Sequence, residues 1–265
     1  MKHRLLLTVL TCSLLPLAGA CSYLLDFGGE CSKDADCAGL GAGLSCTRGW
    51  CVGPTSALPG KRSVQSLLSP ECTELIQGSA GASELPASSI LLGVLLPYSG
   101  ELGPYGGPMR DGALLAMEEI NQVGGFRGRK AAVLSCDTAT STAQAVRAAQ
   151  HLTGKARVPA IIGPAGSDIV IEVLNEVALP RRTVLVTPSA TTPALTNLED
   201  DDLLWRTVPP DTFQGEAIAH LLRHEARARV AVVHRSDAYG TGLRDIFRSK
   251  YCAGERCKEE NSYKS

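Results

Sequence analysis

The 265-residue sequence has few aromatic side chains and no excess of charge of either sign. Phe, Trp and Tyr make up 5% of the chain, and 26 Lys and Arg residues stand against 27 Asp and Glu residues, so the formal net charge is −1. Few aromatic rings argue against a stacking platform for single-stranded nucleic acid. A near-neutral chain also lacks the excess of basic residues that is typical of nucleic-acid-binding proteins. We therefore expect no nucleic-acid partner.

The sequence also lacks nucleotide-binding loop motifs and recognisable sets of catalytic residues. No GxxxxGK[ST] occurs and no GxGxxG follows an apolar strand, so the sequence does not predict dinucleotide or NTP binding. The residues His220, His224 and His234 stand beside no recognisable Ser or Cys nucleophile motif. We therefore expect no enzyme, no cofactor and no metal ion.

Long apolar runs are absent apart from one at the start of the chain. Basic residues 2–4 precede an apolar run over residues 5–17 and small residues up to Ala20. This pattern predicts a secretory signal peptide over residues 1–20, too short for a comfortable membrane span. The stretch resembles a bacterial lipobox, which implies that Cys21 carries a lipid anchor. The alternative is ordinary cleavage near Ala20, with Cys21 as one more disulfide cysteine.

Cysteine, in contrast, is abundant, with ten residues in all and six of them within residues 21–72. Four lie close together, namely Cys31, Cys37, Cys46 and Cys51. In an exported chain this density predicts disulfides. Zinc is the alternative, but zinc sites usually use cysteines two to four residues apart and no CxxC occurs. We predict that the four pair with one another, in one of three combinations, within a module over residues 21–56.

The segment of residues 57–89 is rich in Ser, Pro, Gly and Ala. It predicts a linker with one short helix. Cys72 lies in this segment, and an isolated cysteine in an exported linker usually has a partner. Cys136 is the natural candidate.

Strands alternate with helices from Ile90 onward. The run Ile90–Leu96 is continuously apolar, which is typical of a strand buried on both faces. The alternation predicts βαβ units and a Rossmann-like parallel sheet in an α/β fold. The later predicted strands are Ala131–Leu134, Val158–Ile162, Thr183–Val186, Leu203–Thr207 and Val230–Val233; the predicted helices are Met109–Val123, Thr142–Leu152, Ser167–Ala178, Gln214–Arg227 and Gly242–Lys250.

Ligands of parallel sheets bind beyond the carboxyl ends of the strands. The loops at three of these ends, over residues 97–106, 163–167 and 187–192, are rich in hydroxyl groups and glycine. Two of them lead towards helix N-termini, and Ser167 is placed as the N-cap of its helix. Backbone N–H groups at such ends suit an anionic group such as a carboxylate.

The alternating segment resembles type I periplasmic binding proteins, and within them the leucine/isoleucine/valine-binding proteins of branched-chain amino-acid ABC transporters. The motifs that carry the resemblance are Leu92–Pro97 with Ser99–Gly100 and Tyr105–Gly106, Gly112–Ala113 with Glu119–Asn121, Ile161–Gly163 with Ser167, Thr187–Pro193 with Leu195–Thr196, Arg206–Pro209 with Asp211 and Gln214–Gly215, and Asp237–Gly242.

The resemblance implies two Rossmann-like lobes joined by crossover strands, with a ligand between them. Lobe one is expected over residues 90–210 and a partial lobe two over residues 211–265, so the chain is expected to be C-terminally truncated. Position by position, the resemblance implies that Ser167 donates to the ligand carboxylate and that a loop holds the carboxylate and amino group. The implied loop contacts are Ser189, Ala190 and Thr191, with Tyr105 flanking the ligand and Tyr239 reaching it from lobe two.

The implied function is a lipid-anchored solute-binding protein of the bacterial cell envelope. It would capture a branched-chain amino acid or a similar small solute for the permease of an ABC transporter. The alternatives are a ligand-sensing ectodomain and a structural lipoprotein that has lost binding. Because lobe two is expected to be incomplete, weak binding or none is predicted for the chain itself.

Overall fold

The computed structural model describes residues 31–38, 45–47, 49–52, 60–77, 83–225, 230–252 and 257–263. The predicted signal peptide and the predicted lipidation site Cys21 lie outside these residues. Contacts divide the chain into two compact units, residues 1–54 and 55–265. No helix within the described ranges is both long and apolar enough to cross a membrane.

The first unit is organised around two disulfides. A 3₁₀ turn over Asp34–Cys37 precedes the antiparallel strands β1 (Ser45–Thr47) and β2 (Trp50–Val52). Disulfides join Cys31 to Cys46 and Cys37 to Cys51. The predicted pairing of the four cysteines among themselves is therefore confirmed, and the structure selects one of the three combinations. Cystine sulfur forms the small core of this unit, as expected for a module too short to bury many apolar side chains.

The second unit contains a six-stranded sheet, whose strands are β4 (Glu74–Gln77), β6 (Ile90–Leu96), β7 (Ala131–Asp137), β8 (Ala160–Ile162), β9 (Val184–Thr187) and β10 (Leu204–Arg206). The order of the strands in the sheet is β10–β9–β8–β6–β7–β4. Neighbouring strands run parallel, except that β4 pairs antiparallel with β7. The predicted parallel sheet is thus present, with one antiparallel edge strand.

Helices cover both faces of this sheet, which explains the unbroken apolar run of β6. Leu91 and Leu95 of β6 belong to one buried cluster, whereas Val94 and Leu96 belong to a second cluster on the opposite face. The helices of the lobe are α2 (Gly106–Gln122), α3 (Thr142–His151), α4 (Ser167–Val173) and α5 (Leu179–Arg181), with π-helical turns over Leu152–Ala156 and Leu174–Ala178 and 3₁₀ turns over Gly103–Tyr105 and Pro193–Asn197.

The segment expected to be a linker contains regular structure. Strands β3 (Lys61–Ser63) and β5 (Glu84–Pro86) pair antiparallel, the short helix α1 spans Val64–Leu67, and β4 lies at the edge of the main sheet. A disulfide between Cys72 and Cys136 ties the segment to β7, as predicted. These strands are three or four residues long and partly polar, so they carry no periodicity that sequence analysis can recognise.

A smaller parallel sheet follows in the chain. It consists of β11 (Val230–Arg235) and β12 (Cys257–Tyr263). The helices α6 (Asp211–His224) and α7 (Ala238–Tyr251) pack beside it, and the stacked rings of Phe247 and Tyr251 form much of its core. This part corresponds to the expected partial lobe two.

Candidate functional site

A cavity of about 500 Å³ lies where the carboxyl ends of the main-sheet strands face β11 and α7. It is lined from lobe one by the loops that follow β6, β7, β8 and β9, and from lobe two by the loop that leads from β11 into α7. The lining side chains are mixed: hydroxyl groups, two carboxylates, one guanidinium and several apolar groups. This position beyond the strand ends is the one expected for ligands of parallel sheets.

Ser167 lines the cavity with a free hydroxyl group. It is the first residue of α4. The N-cap position that was predicted for Ser167 is occupied by Gly166, so no side chain caps this helix. The residue is only 5% exposed, yet among the described residues its hydroxyl has no hydrogen-bond partner. A capping role is therefore overturned, and the hydroxyl is available to a ligand in the cavity.

The loop after β9 is held against the loop after β8 by hydroxyl groups. The Ser189 hydroxyl donates to the Ala165 carbonyl at 3.0 Å, and the Thr187 hydroxyl donates to the Pro164 carbonyl at 2.6 Å. Gly163 makes the tight packing of this region feasible, since a Cβ at its position would lie 2.0 Å from the Leu95 carbonyl oxygen. Ser189 lines the cavity, and its assignment as a ligand contact stays a prediction.

Ala190 and Thr191 do not line the cavity. The N–H of Ala190, which is 1% exposed, donates to the Thr187 hydroxyl at 3.2 Å. The Thr191 hydroxyl donates to the Asp211 carboxylate at 2.8 Å, and the Asp211 N–H donates back to the Thr191 carbonyl at 2.9 Å. Their assignment as ligand contacts stays a prediction, and these hydrogen bonds favour a supporting role behind the cavity wall.

Two tyrosines that were predicted as ligand contacts reach the cavity from opposite lobes. Tyr105 ends the turn before α2 and is 61% exposed, so it does not simply pack within its loop. Tyr239 stands in the first turn of α7 and is 37% exposed. Both rings line the cavity, where they can cover an apolar ligand surface and offer a hydroxyl group at its edge.

Asp137, at the end of β7, joins the loops after β6 and β7, which both contribute residues to the cavity wall, and it was missed in the sequence. Its carboxylate accepts hydrogen bonds from the Tyr98 N–H at 2.8 Å, the Ala139 N–H at 2.7 Å and the Ser99 hydroxyl at 2.6 Å. Burial alone would raise the pKa of Asp137, but the bonds from the Ser99 hydroxyl and three backbone N–H groups outweigh it and hold the pKa below its ordinary value.

Thr140 and Thr142 also line the cavity and were missed. Both follow β7, whose carboxyl end was not among the loops that sequence analysis considered. The Thr140 hydroxyl accepts the Leu102 N–H at 3.0 Å and so joins the loops after β6 and β7. Applying the strand-end rule to every predicted strand would have found them.

The charged groups of the cavity come mainly from the junction between β11 and α7. Arg235 Nη1 lies 2.6 Å from Glu101 of lobe one, and Arg235 Nε lies 2.7 Å from Asp237. Asp168, at the start of α4, accepts the Ala238 N–H at 2.9 Å. Its other carboxylate oxygen makes no hydrogen bond to the residues that the structure describes. Hydroxyl donors and an available carboxylate oxygen on one cavity can bind a small zwitterion.

A parallel-sheet lobe, a cavity at its strand ends and a second βα unit across that cavity define a two-lobed solute-binding architecture. The sequence profile of the family described as "Periplasmic binding protein" matches residues 89–251. The chain belongs to this family. Since the family binds solutes and is not a family of enzymes, the expectation of no enzymatic activity is confirmed.

Similar proteins agree with this assignment. The chain is 33% identical over 183 residues to the Leu/Ile/Val-binding protein BraC3 of Rhizobium johnstonii, covering 69% of this chain and 49% of that protein. It is 30% identical over 174 residues to an amino acid binding protein of Pseudomonas aeruginosa, covering 64% and 45%. The chain thus spans about half the length of the curated relatives it matches.

Solved structures show the same lobe. The branched-chain amino acid transporter substrate binding protein LivJ of Streptococcus pneumoniae, in complex with isoleucine, is 28% identical with a TM-score of 0.58, covering 67% of this chain and 49% of that one. The leucine binding protein LivK of Thermotoga maritima is 25% identical with a TM-score of 0.60, covering 66% and 49%. The predicted resemblance to type I periplasmic binding proteins is therefore confirmed.

Proposed function

We propose that this chain binds a branched-chain amino acid, or a similar small zwitterion, in the cavity lined by Tyr105, Ser167, Ser189 and Tyr239. The observation that carries the proposal is that Ser167 is nearly buried, lines the cavity and has a hydroxyl without a hydrogen-bond partner among the described residues. A ligand carboxylate supplies the missing acceptor. The names of the similar proteins, which specify leucine, isoleucine and valine, support this ligand class.

The other residues that line the cavity can contact the ammonium group or the aliphatic side chain of such a ligand. The Asp168 carboxylate oxygen that makes no hydrogen bond to the described residues is the acceptor for the ligand's ammonium group. A charged acceptor strengthens such a hydrogen bond. The rings of Tyr105 and Tyr239 and the side chain of Met109 supply the apolar surface for an aliphatic side chain. A cavity of about 500 Å³ has ample room for a ligand of this size.

The cellular role follows from the family and from the start of the sequence. We infer that the chain acts outside the cytoplasm, held to the bacterial membrane by a lipid on Cys21, and passes its solute to the permease of an ABC transporter. The basic, apolar leader and the small residues before Cys21 support the anchor. Mass spectrometry of the mature N-terminus tests it: an acylated Cys21 is expected, and an unmodified N-terminus at Ser22 or later would overturn it.

Calorimetric titration with leucine, isoleucine, valine and leucinamide tests the ligand. The amino acids should bind weakly, in line with the affinity that the sequence predicts for this chain alone, and leucinamide, which lacks the carboxylate, should not bind detectably. Ser167→Ala should weaken leucine binding by roughly tenfold or more, since a hydrogen bond to a charged group contributes about 1.5–3 kcal/mol. The free energy of unfolding should not fall, because the Ser167 hydroxyl makes no bond within the described protein. Equal binding of leucine and leucinamide would overturn the carboxylate site.

A further inference from the structure

A cluster of cations lies at the end of the main sheet where its parallel strands begin. Two adjoining grooves, of about 470 and 580 Å³, share Arg62 and Arg157 in their walls, and Lys155 and Arg129 complete them. A Cβ on Gly154 would lie 3.9 Å from Arg181 Nη1, so Arg181 belongs to the same surface. We call these five residues the basic patch. No Asp or Glu lines either groove.

Hydrogen bonds of the basic patch go to carbonyl oxygens rather than to carboxylates. Arg62 Nη1 donates to the Ala156 carbonyl at 3.0 Å, and Arg129 Nε donates to the Ser88 carbonyl at 2.6 Å. Within the described part of the chain, none of the five cations forms an ion pair. Other basic residues of this unit, such as Arg147 and Arg182, form ion pairs with carboxylates. The positive charge of the patch is therefore not neutralised locally.

The topology places the basic patch opposite the ligand cavity. Three of its members precede parallel strands: Arg129 precedes β7, Arg157 precedes β8 and Arg181 precedes β9. The cavity lies at the other ends of these strands, and β6 alone is seven residues long, which corresponds to roughly 20 Å at about 3.3 Å per residue. A partner on the basic patch therefore leaves the cavity open.

The chain also enters this unit beside the basic patch. Gly60, Lys61 and Arg62 are its first described residues, and Arg62 is itself a member of the patch. Cys21, the predicted site of a membrane anchor, lies on the N-terminal side of this point in the chain. A basic patch adds electrostatic attraction to anionic lipids to the attachment that acyl chains provide.

We propose that the basic patch docks the lobe on anionic phospholipid headgroups, with the ligand cavity facing away from the membrane. The occupant is a phosphate-bearing lipid surface, since unpaired guanidinium groups match phosphate oxygens and each cation near an anionic surface adds to binding. The proposal rests on the proposed envelope location. It does not depend on solute binding.

A second copy of the chain is the competing occupant. The acidic run Glu199–Asp202 directly precedes β10 and so lies at the same end of the sheet as the basic patch. Arg182 forms an ion pair with Asp201 of this run. The run is short and partly neutralised, whereas the patch presents five unpaired cations. Charge complementarity between copies is therefore weaker than that between the patch and a lipid surface.

Sedimentation of the full chain with phosphatidylcholine vesicles, with and without phosphatidylglycerol, tests the proposal. The measured quantity is the ratio of the two partition coefficients, in which any contribution of the shared leader cancels. The ratio should exceed one for the unmodified chain and fall with added salt. The triple variant Lys155→Gln, Arg157→Gln and Arg181→Gln should lower it by roughly 100-fold, at about fivefold for each cation.

The matched control removes three cations that form ion pairs elsewhere, with Arg110→Gln, Arg147→Gln and Arg244→Gln. It has the same change in net charge and should keep most of the vesicle preference. An equal loss in both triple variants, or no preference in the unmodified chain, would overturn the proposal. Dimers that depend on the patch in the absence of lipid would assign the surface to a second copy instead. Because no amino acid and no acylation enter the assay, its failure leaves the proposed solute binding untouched.

Discussion

Arg235 Nη1 lies 2.6 Å from Glu101 Oε1, which links the end of β11 in lobe two with the loop after β6 in lobe one. The Asp168 carboxylate makes a second link by accepting the Ala238 N–H at 2.9 Å. Both contacts join lobe one to lobe two beside residues that line the cavity. They stabilise the arrangement in which the two lobes face each other.

Glu101→Gln should weaken leucine binding modestly. The Glu101 side chain is 47% exposed and that of Arg235 is 24% exposed, so solvent screens the pair and its loss should cost about 0.2–1 kcal/mol. This corresponds to less than about fivefold in affinity, measured by calorimetry, and the difference should shrink at high salt. Glu74→Gln is the matched control, because its ion pair with Arg110 stays within lobe one. A similar loss in both variants would contradict a cross-lobe role.

Asp137 should make the protein sensitive to acid. Its pKa in the folded state lies below the ordinary value of about 3.9 that an unfolded chain shows. The stabilisation is therefore present above this ordinary value and is lost as the pH falls through the folded-state pKa. Urea unfolding from neutral to acidic pH should show a shallower decline in the free energy of unfolding for Asp137→Asn than for the unmodified chain. The exposed control Asp111→Asn should follow the unmodified chain, and parallel curves for Asp137→Asn would contradict the argument.

Thr191 distinguishes a structural role from a ligand contact. Asp211 is 2% exposed, and burial raises its pKa although the Thr191 hydroxyl bond and Arg206 lower it. Thr191→Val leaves this buried carboxylate without its 2.8 Å hydrogen bond, so the free energy of unfolding should fall by about 1–3 kcal/mol. Thr191→Ser keeps the hydroxyl and should lose less. If Thr191→Val instead lowered leucine affinity without destabilising the protein, the contact predicted from the sequence would be restored.

The fold of the lobe was largely predictable because burial on both faces leaves a strong signal. The run Ile90–Leu96 forms β6 with the predicted bounds, since a strand covered by helices on both sides must be apolar throughout. The first residues of the helices were harder to predict from the sequence. The helix predicted from Gly242 begins at Ala238, because Asp237 caps it by accepting the Gly240 N–H at 2.8 Å. Edge strand β4 escaped prediction because its burial comes from tertiary contacts and not from a local pattern.

The site was predictable only in part. Ser167, Ser189 and both tyrosines line one cavity, because strand-end loops converge by topology, and their roles as ligand contacts stay predictions. The inward position of Ala190 depends on a hydrogen bond to the Thr187 hydroxyl, three residues earlier in the chain. The charged groups of the cavity depend on pairs such as Glu101 with Arg235, which are 134 residues apart. No local pattern in the sequence predicts a contact between residues so far apart in the chain.

The disulfide between Cys72 and Cys136 should dominate the stability of the second unit. It closes a loop with a sequence separation of 64 residues, for which the loss of unfolded-chain entropy corresponds to about 4 kcal/mol. The double variant Cys72→Ala and Cys136→Ala should lower the midpoint of urea unfolding, followed by far-ultraviolet circular dichroism, and should release β4 from its covalent link to β7. The matched double variant Cys31→Ala and Cys46→Ala removes a disulfide from the first unit, so the main unfolding transition should stay in place. A midpoint that moves equally in both variants, or in neither, would show that the bridge to β7 is not what stabilises the sheet.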